Sequence, residues 1–296
     1  MLDFVIAIVD GTGPSPDFQY EKEMKQSFCS QVYLALAGRE PTWAKGGTEF
    51  VGKTYACWYE RGPSWHGEET TDQADRVVQF LNSRPAKRRF VAGYSRGGSA
   101  VIIAALRSPQ IPIEAAFLFD PVARHTSDDT WMIPDNVTVA HVARRNVSAT
   151  LFDRLKHPDS THHIVDDAGI DIYDDTVPLM SGGHNPFRQW FGTTANEPKA
   201  KINEDFFNGT HGALGNVGWK HVPQDALTRC PTEVAGFMNM AFEFENLKVR
   251  LTPSEPNSES PLAPVAPPPI LRPAQTHALT MRGRTAPGPR QRPGSR

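Results

Sequence analysis

The chain is poor in the features that would tie it to a membrane, a disulfide framework or a nucleic acid. It has only three cysteines in 296 residues, Cys29, Cys57 and Cys230. Their odd number and their lack of metal-ligand or redox spacing fit buried free thiols in a reducing compartment. No apolar run approaches the roughly 18 to 20 residues that a bilayer-spanning helix needs. A charge excess of one sign is also missing. The 31 Lys and Arg against 33 Asp and Glu leave a formal net charge of -2, so the composition gives no attraction to phosphate backbones or anionic lipid. The opening "MLDFVIAIVDGTG" has no basic start and carries an acid at its third position, which excludes a secretory signal and suits a buried strand. The expectation is a protein that is cytoplasmic as synthesised, with export by a signal-independent system left open.

Proline is unevenly spread. Residues 253–296 hold 11 of the 26 prolines, with six arginines against two glutamates and few large apolar side chains. Such a segment cannot repay the entropy of ordering, so a disordered basic tail is expected. Its "PVAPPPILRP" is a candidate polyproline ligand for a protein partner.

Over residues 1–252, short apolar runs alternate with amphipathic segments, the pattern of parallel strands joined by crossover helices. The composition and periodicity predict strands at 3–9, 53–59, 88–94, 113–119, 136–143 and 204–209. They predict helices at 18–37, 70–83, 96–108 and 232–247. The alternation lapses at about 157–200, an inserted lid-like stretch in which Phe187, Trp190 and Phe191 are candidates to line an acyl pocket. The fold class expected is α/β, with a mostly parallel central sheet and helices on both faces.

The chemistry centres on "VAGYSRGGS" at 91–99. A serine hydroxyl needs a base to take its proton and donors for the oxyanion that forms. Gly93 and Gly97 flank Ser95 two residues either side, where a side chain would collide in a tight strand-to-helix turn. The helix that follows brings its N-terminal dipole and the Arg96 amide toward developing negative charge. Asp120 ends the next strand, "IEAAFLFD", and Pro121 stops that strand behind it, which makes Asp120 the candidate acid and leaves Asp153 as the alternative. His211, in the glycine-rich "FNGTHGALGNVGW", comes last in the order Ser, Asp, His and is the candidate base, with His184 and His221 as alternatives. The "DGTG" at 10–13 offers the amide of Gly11 or Thr12 as a second oxyanion donor. Asp10 as a phosphatase nucleophile is disfavoured, because Ile8 and Thr12 occupy the places of the second aspartate that chemistry wants.

Five stretches in order, "IAIVDGTG", "CWYERGPSW", "FVAGYSRGGSA", "FLFDPVA" and "FNGTHGALGNVGW", resemble the bacterial and fungal α/β-hydrolase domain family that includes phospholipase effectors of type VI secretion. The likeness spans about residues 3–220. It implies an α/β-hydrolase fold, a Ser95, Asp120 and His211 triad, a carboxylic ester substrate of lipid or phospholipid type, and no cofactor. The chain departs from the family pattern at Tyr94, usually Phe, at Phe119, usually Trp, and in the histidine loop at Ala213 and Asn216.

Two readings from other classes accompany this one. One is a metal-dependent phosphoesterase built on His157, His162, His163, Asp166 and Asp167, whose spacing matches no helical ligand pair. The other is a hydrolase fold kept as a binding module.

Overall fold

A computed structural model of the chain describes residues 1–14, 16–64, 69–122, 133–145, 200–207, 211–217 and 225–253. All of them lie in the first of the chain's two units, Met1–Asn257. The expected acyl-pocket residues Phe187, Trp190 and Phe191, the alternatives Asp153, His184 and His221, the histidine and aspartate cluster at 157–167, and the proline-rich tail beyond Pro253 lie outside the described residues.

Seven strands form one sheet in the order β2-β3-β1-β4-β5-β6-β7. They are β1 (Leu2–Val9), β2 (Thr48–Val51), β3 (Tyr55–Glu60), β4 (Ala86–Tyr94), β5 (Ile113–Phe119), β6 (Val137–Arg145) and β7 (Lys201–Phe207). Every neighbouring pair is parallel except β2 and β3. The connecting helices are α1 (Asp17–Met24), α2 (Phe28–Ala37), α3 (Thr70–Ser83), α4 (Arg96–Arg107), α5 (His211–Gly215) and α6 (Asp225–Phe244).

The apolar run in β1 follows from burial on both faces. Val5 through Val9 are completely buried, and alternate side chains enter two separate cores. Ile6 and Ile8 join residues of α1, α2 and α6, including Phe28, Val32 and Phe242. Val5, Ala7 and Val9 join α3 and α4 on the other face, with Val77, Leu81 and Val101. This two-sided parallel sheet, crossed by a strand-to-helix turn after β4, is the α/β-hydrolase fold.

Several element boundaries differ from the sequence expectation. The helix expected over 18–37 is two helices, because Ser27 interrupts it: its side chain accepts the amide of Ser30 and caps α2. The edge strand β2 was not anticipated; its four residues are too few to show a period. The strand expected at 204–209 spans Lys201–Phe207, and most of it is exposed, so only its apolar end was visible. The last helix starts at Asp225 and runs through Pro231, which gives up one backbone hydrogen bond.

Among the described residues, no helix is long and apolar enough to cross a membrane. All three cysteines are buried and free. Burial raises their thiols above the ordinary range, that of Cys57 to about 12.

Candidate active site

Parallel strands deliver their carboxyl ends to one edge of the sheet, and the chemically interesting residues gather there. β4 ends at Tyr94 and α4 begins at Arg96, leaving Ser95 alone to turn the chain. It does so with φ +55° and ψ -127°, a conformation that side chains rarely adopt. The turn closes only because its flanking residues are glycines. A Cβ on Gly93 would sit 2.6 Å from the Gly97 carbonyl oxygen, and one on Gly97 would sit 2.2 Å from the carbonyl oxygens of both Val9 and Asp10. Helix α4 therefore starts in contact with the end of β1.

Asp120 is positioned by the neighbouring ladder. The Ser95 amide donates to Phe119 O at 3.1 Å, and the Asp120 amide donates to Ala143 O at 2.8 Å. Asp120 is fully buried and also has positive φ, +38°. The chain then returns to the elbow: the Val122 amide donates to Ser95 O at 3.1 Å, and the Ser99 hydroxyl donates to Val122 O.

His211 opens the short helix α5 rather than lying in an open loop, and is almost wholly buried. Its Nδ1 lies 2.7 Å from Asp120 Oδ2 and its Nε2 lies 2.7 Å from Ser95 Oγ. A carboxylate only accepts, so the Nδ1 proton points at Asp120 and Nε2 is left to accept from the serine hydroxyl. The structure thus brings Ser95, Asp120 and His211 together, from β4, β5 and the segment after β7.

The end of β1 forms the remaining wall. Asp10 is fully buried and accepts from the Ser27 hydroxyl, from the Tyr59 hydroxyl at 2.8 Å and from the Gly11 amide at 2.8 Å. Desolvation raises its carboxyl from the ordinary 3.8 to about 6, against the opposing effect of those donors. The Gly11 amide is turned into the Asp10 carboxylate, and this removes Gly11 from the two oxyanion candidates. The Thr12 amide has no partner among the described residues. Arg96 is buried, its guanidinium donates to Ser64 O at 3.1 Å, and its amide precedes the first intrahelical bond of α4.

One contributor was passed over in the sequence, where Tyr94 looked like a neutral replacement for Phe. Its hydroxyl donates to His211 O at 3.1 Å, and its ring lies 5.0 Å from the imidazole. A Cβ on either Gly11 or Gly215 would come within 2.3 Å of that ring. The signal was present in the pair of glycines, but nothing in the sequence says that both face one tyrosine.

Among the described residues, no group of three or more His, Cys, Asp or Glu is placed to hold a metal ion.

No family model matches the sequence, and no curated protein sequence matches it. Solved structures do resemble it in overall course. A ferulic acid esterase from Streptomyces cinnamoneus is 13% identical, with 88% of this chain and 71% of that one covered and a TM-score of 0.42. Est1E from Butyrivibrio proteoclasticus is 10% identical, with 83% and 89% covered and a TM-score of 0.37. The thioesterase domain that cyclises the lipopeptide surfactin is 15% identical, with 83% and 92% covered and a TM-score of 0.33. At these scores the superpositions are partial, and the fold rests on the strand order and elbow above.

Proposed function

We propose that the protein is a serine hydrolase that cleaves a carboxylic ester through an acyl-enzyme on Ser95. The observation that carries this reading is the single imidazole of His211, one nitrogen 2.7 Å from Ser95 Oγ and the other 2.7 Å from Asp120 Oδ2. In the forward step, Ser95 Oγ attacks the ester carbonyl while His211 Nε2 takes its proton. Asp120 holds the Nδ1 proton, fixing the tautomer and stabilising the imidazolium. The carbonyl electron pair moves to oxygen, where the amides of Arg96 and Thr12 receive it. Collapse breaks the bond to the alcohol, which leaves with the proton returned from Nε2. Water then repeats the sequence on the acyl-enzyme. No cofactor takes part in these steps.

Within esters, the motif resemblance to type VI secretion phospholipase effectors favours a lipid or phospholipid acyl group. Hydrolysis of a graded series of acyl chain lengths and head groups by the purified protein tests this finer reading.

The test of the reaction itself is covalent labelling with a fluorophosphonate. Wild type is expected to be modified at Ser95, Ser95→Ala to be unlabelled, and His211→Ala to lose ester turnover by about 10³-fold or more. Absence of labelling in the folded wild type would reject the enzyme reading in favour of a binding module. A near-normal rate in His211→Ala would move the base to another histidine.

A further inference from the structure

Thr12 carries a buried hydroxyl with no hydrogen-bond partner among the described residues. Such groups are costly and uncommon, and one at the reactive edge of a sheet calls for a partner that arrives later. Its neighbours on both sides are tied. The Gly11 amide donates to Asp10 Oδ1, and Gly11 O accepts from the Tyr20 hydroxyl at 2.8 Å. That hydroxyl in turn accepts from the Gly62 amide at 2.6 Å, and the Gly13 amide donates to Pro63 O at 3.2 Å. Thr12 is therefore held between two anchored glycines, with its own amide and hydroxyl uncommitted.

The anchoring also aims the segment. Val9 and Asp10 present their carbonyls to Gly97, and Gly11 packs so close to the ring of Tyr94 that a Cβ would come within 2.3 Å of it. These contacts fall immediately before and two residues after Ser95, so the end of β1 brackets the nucleophile and Thr12 is the next residue along.

We propose that Thr12 serves the oxyanion twice, its side-chain hydroxyl donating beside its amide. This rests on the serine-hydrolase reading. As Ser95 Oγ bonds to the carbonyl carbon, the carbonyl π pair becomes a lone pair on oxygen and the serine proton passes to His211. The Thr12 hydroxyl donates a hydrogen bond to that oxygen without giving up its proton. A hydroxyl bonded to full negative charge is stronger than one bonded to a neutral carbonyl, so the contribution falls on the transition state. The Asp10 carboxylate, by taking the Gly11 amide, holds the segment in place.

The experiment compares Thr12→Val, nearly isosteric and without the hydroxyl, with Thr12→Ser, which keeps it. The primary readout is the second-order rate of fluorophosphonate labelling at Ser95, whose tetrahedral adduct places an oxygen in the same position. Turnover of an ester is measured in parallel. Thr12→Val is expected to label and turn over about 10²-fold more slowly, with KM little changed. Thr12→Ser should stay within several-fold of wild type. Thr12→Val labelling at the wild-type rate overturns the proposal, and so does Thr12→Ser falling as far as Thr12→Val, which would assign the effect to the lost methyl. Wild type that is not labelled at all overturns the serine-hydrolase reading and this one with it. A labelled wild type beside an unaffected Thr12→Val overturns this one alone.

Discussion

The ring of Tyr94 joins the elbow to two of the other chain segments at the candidate site, the end of β1 and the helix that carries His211. It precedes Ser95 directly, it lies against Gly11 and Gly215, and its hydroxyl holds the His211 carbonyl. Around it, Ser95 and Asp120 both occupy positive φ, a strain of about 1–3 kcal/mol apiece that only a well-supported setting retains. Tyr94→Phe keeps the ring and deletes one buried hydrogen bond. We expect it to lose about 1 kcal/mol of stability, read as a fall in Tm of about 2–4 °C, and to lower ester turnover several-fold with KM little changed. An unaltered Tm together with unaltered turnover would mean that the hydroxyl restrains nothing. The three residues proposed to react could be picked out in the sequence because reactivity restricts residue type: a serine between glycines, an aspartate ending a strand, a histidine after the last one. Tyr94 was not visible, since its role depends on glycines far apart in the chain that only folding brings to it.

At the scale of elements, the turn from β4 to α4 is held by contact between backbones. Gly97→Ala would place a methyl carbon 2.2 Å from the carbonyl oxygens of Val9, the last residue of β1, and of Asp10 just after it, and backbone at the end of a central strand cannot give way. This variant should be destabilised by about 3 kcal/mol or more, with the elbow displaced and serine labelling abolished. Gly236, inside α6, is the contrasting case. A Cβ there meets nothing within 4 Å, so Gly236→Ala should gain about 0.5–1 kcal/mol. Chemical denaturation of both variants checks the pair; equal effects would refute the packing argument. Elements with strong periodicity or a continuous apolar run were legible, as α3 and β5 show by matching their expected spans. The break between α1 and α2 was not, because Ser27 acts there partly through Asp10, a residue just past the end of β1 and 17 positions earlier in the chain.

Two buried titratable groups give the whole molecule an opposed response to pH. Asp10 in the folded chain keeps its proton up to about 6, whereas the unfolded chain loses it near 3.8. Stability from this group therefore falls as pH rises from about 4 to about 6. His141, packed on Phe117 and desolvated, is lowered from 6.5 to about 4, with Lys201 adding to the effect. The unfolded chain takes up that proton first, so stability from this group falls as pH drops from about 6.5 to about 4. The two slopes oppose each other over their common range. In urea melts between pH 4 and 7, Asp10→Asn should make stability drop more steeply on acidification, and His141→Gln should make it drop less steeply or rise. Parallel curves for wild type and both variants would show that neither group titrates as its burial implies.

What the sequence alone determined is the class of the fold, and it singled out the side chains proposed to react. Both depend on local chemistry: apolar runs long enough for buried strands, turns that only glycine permits, and residue types whose reactivity has few substitutes. Tertiary structure decided which groups are free to act. Asp10 claims the Gly11 amide and leaves that of Thr12, Tyr94 fixes the His211 backbone, and His211 sits between Ser95 and Asp120 with one nitrogen for each. Hydrogen bonds of this kind are set to within a few tenths of an ångström between residues up to 117 positions apart, and residue order carries no such distances.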